Sequence, residues 1–209
     1  FEVDKPFLLS AAIFTLTNIM WLLVTKIDLL MLSVIASASE VAIYGVANRF
    51  IFIGLMAISI LSNVIYPPLI KRITETGYLE STMYLKPAIA VLTLMIIGAF
   101  LGYLIGEEVI VAVTGEKYQS AASVLNILLL YLVVQVISAP IKLVLYALER
   151  EKLVLYLLLP IPIVKIALNH LLFDQFGIEG IALSTVTVYT LFLSLLVIFN
   201  WRALRRVIR

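Results

Sequence analysis

Long apolar stretches alternate along the chain with short polar segments. A helix that crosses a bilayer needs about 20 mainly apolar residues, so these stretches predict six membrane-spanning helices. The predicted spans lie at roughly 8–34, 41–66, 84–106, 120–147, 153–173 and 178–200. We therefore expect an all-α membrane protein in which residues 1–209 form one six-helix transmembrane bundle.

The polar segments contain residues that begin or end helices. Ser37 and Glu40 can cap the second span, and Pro67-Pro68 is expected to end it because proline lacks an amide donor. Pro160 and Pro162 are expected to kink or break the fifth span for the same reason. Polar loops are predicted at 69–83, which can be partly helical, and at 107–118, and tight turns at 149–152 and 174–177.

The third span carries a glycine on every fourth residue. Gly98, Gly102 and Gly106 lie on one face of a helix, and small residues at this spacing let a second membrane helix approach closely. We expect this face to pack against a neighbouring helix.

The positions of Lys and Arg indicate how the bundle is oriented, because cytoplasmic loops are enriched in both. The loops after spans one, three and five carry Lys117 alone. The first segment and the loops after spans two, four and six carry Lys5, Lys71, Arg72, Lys86, Arg150, Lys152, Arg202, Arg205, Arg206 and Arg209. We expect a multi-pass protein of the cell membrane with both ends of this segment in the cytoplasm.

The composition agrees with a membrane protein and narrows its chemistry. The chain is 63% hydrophobic and 13% charged, whereas soluble domains are about 45–50% apolar and about 25% charged. It has no cysteine, one histidine and a net charge of +2. We therefore expect no metal site, no cofactor and no nucleic-acid partner. A membrane enzyme would need clustered Asp, His or Ser side chains at a membrane face, so we do not expect catalysis.

A few charged residues lie inside the predicted spans, where each costs roughly 2.5–3.5 kcal/mol on insertion scales. Lys26, Arg49 and Lys165 come from three spans at a similar depth, roughly 12 Å below the outer surface at about 1.5 Å per residue. Such residues usually face a bundle interior or a water-filled cavity. We interpret them as a cationic layer for an anionic substrate; for Lys26, Arg49 and the neighbouring Asp28, a structural ion pair is the alternative. Lys142 is nearer a span end and is expected to extend to the interface.

Polar side chains share helix faces with these charges. Asn48 on the second span and Gln135 on the fourth are candidates for substrate binding. Asp28 is the one obvious intramembrane carboxylate and therefore the candidate for ion coupling. Ser, Thr and Asn on such faces can equally serve as contacts between helices.

Short motifs along the whole chain resemble the C-terminal half of O-antigen-type polysaccharide flippases, members of the multidrug/oligosaccharidyl-lipid/polysaccharide exporter superfamily. The motifs are Thr25-Lys26-Ile27-Asp28-Leu29-Leu30-Met31-Leu32, Glu40-Val41-Ala42-Ile43-Tyr44-Gly45-Val46-Ala47-Asn48-Arg49, Asn63-Val64-Ile65-Tyr66-Pro67, Thr114-Gly115-Glu116-Lys117-Tyr118-Gln119-Ser120-Ala121-Ala122 and Phe176-Gly177-Ile178-Glu179-Gly180-Ile181-Ala182.

The resemblance implies one lobe of a two-lobe transporter that works by alternating access. Because the sequence begins at Phe1 without a methionine, we expect it to be a piece of a longer protein whose N-terminal six-helix lobe is the partner. The implied substrate is a glycan linked to a polyprenyl or dolichyl (pyro)phosphate. Alternatives are a cation-coupled multidrug antiporter of the same superfamily and a membrane assembly subunit that transports nothing.

Overall fold

The computed structural model describes residues 5–76 and 81–207, which are helical apart from short turns. The helices in this part of the chain are α1 (Lys5–Ile35), α2 (Ala38–Thr76), α3 (Ser81–Thr114), α4 (Ala121–Ala147), α5 (Glu151–Leu158) and α6 (Ile161–Val207). A 3₁₀ turn, Glu116–Tyr118, precedes α4. The fold is therefore all-α, as the apolar pattern predicts.

The outer surface of the bundle is apolar. Ile53 is 66% exposed, Phe100 59% and Ile163 72%, and soluble monomers rarely expose large continuous apolar patches. Such a surface suits lipid, so the bundle is of the membrane type. The stretches long and apolar enough to span a membrane, within the described residues, are Leu8–Ile35, Ala38–Arg72, Ile89–Thr114, Ala121–Ala147 and Glu151–Arg205.

That number is five, whereas the sequence predicts six spans. The difference lies in the last stretch, which joins the predicted fifth and sixth spans. Inside α6, Gly177 has non-helical backbone angles, φ 60° and ψ −139°. It divides α6 into a first arm (161–176) and a second arm (178–207).

The two arms of α6 fold back on each other. The Lys165 Nζ on the first arm lies 3.1 Å from the Thr185 Oγ1 on the second. In a straight helix these residues would be about 30 Å apart, at about 1.5 Å per residue. The chain therefore turns at Gly177, within the predicted turn at 174–177, while residues 174–176 stay helical.

α4 lies at the centre of the bundle and packs against α2, α3 and α6. Leu125, Leu128 and Val136 are among its buried side chains. α1 packs mainly against α5 and α6. The space between α1, α2 and α4 contains the cavities described below.

Two predicted helix ends are wrong. α2 does not end at Pro67-Pro68 but continues to Thr76, so the helical part of the polar segment belongs to α2; residues 77–80 lie outside the described residues. Proline removes one helical hydrogen bond without forcing the helix to stop, and membrane helices tolerate it. α3 continues past its predicted end to Thr114. Glu107 and Glu108 end the apolar stretch there, but glutamate is a good helix former.

Other predicted boundaries are confirmed. Ser37 and Glu40 form a capping box: the Ser37 amide and hydroxyl donate to the Glu40 carboxylate at 2.8 and 2.7 Å. The break before Pro160 is also present, because α5 ends at Leu158 and α6 begins at Ile161.

The glycines of α3 face α4 where the two helices are closest. A Cβ built on Gly106 would lie 3.0 Å from Leu125, and one on Gly102 would lie 3.3 Å from Leu129. At Gly98 no such atom lies within 4 Å. Close packing is therefore confirmed at two of the three glycines.

Gly177 offers a test of the hairpin that brings Lys165 to Thr185. Gly177→Ala should destabilise the bundle by about 1–3 kcal/mol, because a side chain is strained at this backbone conformation. Gly45→Ala is the matched control: Gly45 is helical, with open space around a Cβ, so stability should stay the same or rise slightly. Unfolding in detergent, followed by circular dichroism, measures both. Equal stability of the two variants would contradict the strained turn.

Candidate functional site

Asp28 is the centre of a buried polar network. Its residue is 5% exposed, and its carboxylate accepts hydrogen bonds on both oxygens. Oδ1 accepts from the Asn169 side-chain amide at 2.9 Å. Oδ2 accepts from the Tyr44 hydroxyl at 3.0 Å and from the Thr185 hydroxyl at 2.8 Å. The buried charge is thereby solvated by the protein in place of water.

Lys165 neutralises this carboxylate. Its Nζ lies 2.9 Å from Asp28 Oδ2, and its side chain is 1% exposed. The ammonium also donates to Thr185 at 3.1 Å and lies 5.4 Å from the centre of the Tyr189 ring. A structural ion pair, the alternative left open for Asp28, is therefore present, and its second member is Lys165.

The network draws on separate parts of the chain. α1 supplies Asp28, α2 supplies Tyr44, the first arm of α6 supplies Lys165 and Asn169, and the second arm supplies Thr185. The first arm supplies two residues because Lys165 and Asn169 are four positions apart, which places both on one helix face. The bond to Asp28 holds α1 against both arms.

A cavity of about 230 Å³, which we name the Asp28 cavity, opens beside this network. Lys26 and Asn48 line it together with Asp28, Tyr44 and Lys165. Its other lining residues are Leu22, Thr25, Phe52, Leu55, Leu128, Tyr131, Thr185 and Tyr189. Within this lining Asp28 is the one carboxylate, and Lys26 makes no hydrogen bond or ion pair with any described residue. The cavity therefore presents one neutralised ion pair and one uncompensated cation.

The remaining predicted site residues lie elsewhere. Arg49 is exposed and does not line the Asp28 cavity. Gln135 lines a second cavity, where its amide donates to the Tyr131 hydroxyl at 3.1 Å. The structure thus brings Lys26, Lys165, Asn48 and Asp28 together and leaves Arg49 and Gln135 outside.

The second cavity, which we name the Lys142 cavity, measures about 350 Å³ and lies between α1, α2 and α4. It shares Thr25, Leu55 and Tyr131 with the Asp28 cavity, so the two are neighbours. Its other lining residues are Trp21, Ile58, Ser59, Ser62, Gln135, Ala139, Lys142, Leu143 and Tyr146. The Lys142 Nζ lies over the Trp21 ring, 4.7 Å from its centre.

Sequence reasoning missed Thr185 and the pairing of Asp28 with Lys165. Thr185 lies in an apolar span, where a single threonine hydroxyl does not form a polar helix face that the sequence would reveal. The pairing did leave a signal: Asp28 lies two residues from Lys26, whose estimated depth matches that of Lys165. A carboxylate and a cation at equal depth on two helices could have been read as a pair.

The ion pair generates a prediction for stability. Asp28→Asn or Lys165→Met alone should destabilise the bundle by about 3–5 kcal/mol, because each leaves an uncompensated buried charge. The double variant should recover most of that loss, since replacing a buried pair with neutral side chains is often nearly neutral. Detergent unfolding of the four proteins measures the coupling.

Lys26→Gln is the control, because Lys26 is exposed and unpaired in the described part of the chain; its stability should change by less than about 1 kcal/mol. Additive losses in the double variant would show that Asp28 and Lys165 do not interact.

Comparison with known proteins adds no assignment: no protein family, curated protein or solved structure matches this chain. The resemblance to polysaccharide flippases rests on the short motifs quoted above. What the protein does has to be argued from the two cavities and their charges.

Proposed function

We propose that the chain is one lobe of a flippase that moves lipid-linked oligosaccharides across the cell membrane by alternating access. The observation that carries the proposal is the Asp28 cavity, a charged space inside a bundle with an apolar outer surface. An uncompensated cation there is costly unless a ligand or water contacts it. The negative (pyro)phosphate of a polyprenyl- or dolichyl-linked glycan supplies such a contact.

Lys26 is the residue of this cavity best suited to meet the substrate. It is exposed and lacks a partner within the described residues, and the Asn48 side chain beside it is likewise without a hydrogen bond there. Lys165 is already neutralised by Asp28, so it reaches an anion only if that pair opens. Arg49 is exposed on the next helix and lies outside this cavity; we keep it as a second contact because it is a cation at a depth similar to that of Lys26.

The same proposal includes six membrane crossings with both ends in the cytoplasm. As one crossing, the 55 residues of Glu151–Arg205 would be about 80 Å long at about 1.5 Å per residue. The hydrocarbon core of a bilayer is about 30 Å thick. Two antiparallel crossings joined at Gly177 fit that thickness, and the Lys and Arg distribution gives the orientation.

A cation-coupled small-molecule antiporter is the second candidate, and the buried carboxylate favours it. Asp28 lines a cavity, so a proton or sodium ion can compete with Lys165 for its oxygens. A drug antiporter would be expected to place more carboxylates than cations within the membrane; here Lys26, Arg49, Lys142 and Lys165 accompany Asp28. We therefore keep Asp28 as the ion-coupling residue of a flippase. An assembly subunit is the third candidate, for which neutralising Lys26 would change stability alone.

Cysteine labelling measures the number of crossings, and the chain has no native cysteine to interfere. Single replacements Glu116→Cys and Gln175→Cys should react with an impermeant maleimide from outside the cell. Lys152→Cys and Arg202→Cys should react only after the membrane is opened. If 151–205 crossed once, positions 152 and 202 would label from opposite sides.

Substrate translocation tests the function itself. In proteoliposomes holding the full-length protein, Lys26→Gln should slow flipping of a polyprenyl-diphosphate oligosaccharide at least about tenfold, since a charge-assisted hydrogen bond contributes about 1.5–3 kcal/mol. Arg49→Gln should act in the same direction. Lys152 is exposed in the first turn of α5, and Lys152→Gln should flip at the wild-type rate. If Lys26→Gln and Arg49→Gln both flip the substrate at the wild-type rate, these cations do not bind the substrate and the proposed mechanism is wrong.

A further inference from the structure

Lys142 has no counter-charge among the residues that the structure describes. Its one charged or aromatic interaction with them is with the Trp21 ring. A cation–π contact contributes only about 0.5–2 kcal/mol and does not neutralise the ammonium. The side chain is half-buried and lines the Lys142 cavity. An anionic ligand in this cavity would supply the counter-charge that the described residues do not.

The lining of this cavity is chemically suited to an anion. It contains no Asp or Glu. Ser59 and Ser62 on α2 make no hydrogen bond with any described residue, not even the bond to a preceding carbonyl that Thr15 and Thr17 on α1 make. Two hydroxyl donors therefore accompany the ammonium. The Gln135 side chain already has hydrogen-bond partners: its amide donates to Tyr131, and its oxygen accepts from Ser138 at 2.9 Å.

An aromatic partition separates the Lys142 cavity from the Asp28 network. Trp21 stacks on Tyr189 with ring centres 5.7 Å apart, and Tyr189 contacts Tyr131 at 4.6 Å. Lys142 lies over the Trp21 ring, and Lys165 lies over the Tyr189 ring. Each lysine therefore contacts one ring of the stacked pair. Lys165 is neutralised by Asp28, whereas Lys142 has no counter-charge among the described residues.

The volume of the cavity also fits a ligand. About 350 Å³ lies within the range of small-molecule pockets, about 300–1,000 Å³. A single phosphoryl group fills only part of it, which leaves room for a second phosphoryl group or a first sugar. The apolar residues Ile58, Ala139 and Leu143 complete the wall.

We infer that the Lys142 cavity is a second anion-binding site, which takes a phosphate ester or diphosphate on the Lys142 ammonium and the Ser59 and Ser62 hydroxyls. The inference deepens the proposed function: a lipid-linked substrate would place its phosphate at this site and at Lys26 in succession, one on each side of the aromatic partition. Phosphate binding at Lys142 does not itself require transport. The two statements can therefore fail separately.

Trp21 provides a direct reporter of this site. The chain has two tryptophans, Trp21 and Trp201, and Trp201 is exposed at 59%. With Trp201→Phe as background, the emission reports Trp21 alone, in contact with Lys142. The 209-residue chain in lipid nanodiscs is titrated separately with inorganic pyrophosphate and with farnesyl phosphate. Farnesol, which lacks the phosphate, is the ligand control.

A saturable change in Trp21 emission with either phosphate, absent with farnesol, is the expected result. Lys142→Gln should weaken this binding at least about tenfold, as loss of a charge-assisted hydrogen bond implies, and Lys142→Arg should retain most of it. Lys152→Gln is the matched control for removing a lysine and should bind like the background protein. Binding of farnesyl phosphate alone identifies a lipid headgroup as the ligand, and binding of pyrophosphate alone a free anion.

The inference is overturned if neither phosphate changes the emission, or if Lys142→Gln binds as tightly as the background. If Lys142→Gln does not fold, the double variant Ser59→Ala with Ser62→Ala still tests the inference. It removes the two hydroxyl donors and leaves the charge of Lys142 in place. That variant should bind several-fold more weakly; unchanged binding would also overturn the inference. If the protein binds phosphate at this site but flips no lipid-linked glycan, the anion-binding site is supported and the proposed flippase function is contradicted.

Discussion

The hydrogen bonds and ion pair on Asp28 are the constraint on which the bundle depends. In a lipid environment, apolar side chains gain little by leaving lipid for a helix interface, so polar contacts and close packing decide which faces meet. Asp28 binds one residue of α2 and residues of both arms of α6. A rotation or shift of α1 would leave a charge unpaired in an apolar interior. We therefore expect the pair to matter more for the choice of one helix arrangement among several than for net stability.

This network divides the intramembrane charges into two kinds. Asp28 and Lys165 satisfy each other and shape a cavity wall, while Lys26 and Lys142 stay uncompensated within the described residues and face cavities on either side of Trp21, Tyr131 and Tyr189. A bundle that needed charge only for helix association would pair every lysine. Free cations that line neighbouring cavities are instead suited to an anion that moves past them, which is the common basis of both proposals.

Sequence reasoning predicted the helical class, most spans and the break at Pro160, because hydropathy and the missing proline donor act locally. It failed at Pro67-Pro68 and at Glu107-Glu108, where the end of an apolar stretch was taken for the end of a helix. It singled out Asp28 and Lys165 as charges inside apolar spans but did not predict that they form a pair. Their contact joins residues 137 positions apart (165 − 28), and a single sequence carries no information on which helix faces meet at that range. Thr185 had no signal at all, since its importance comes entirely from its neighbours.

The order in which Asp28 and its partners occur in the chain has a consequence for biogenesis. Tyr44 follows Asp28 closely, but Thr185 comes 157 residues after it. At about 5–20 residues per second of synthesis, the carboxylate waits roughly 8–30 s for its last partner. During that interval Asp28 lacks the partners that α6 supplies, so the network around α1 stays incomplete until the α6 hairpin follows. A ribosome that stalls before the second arm would leave a bundle that quality-control proteases can recognise by its incompletely bonded aspartate.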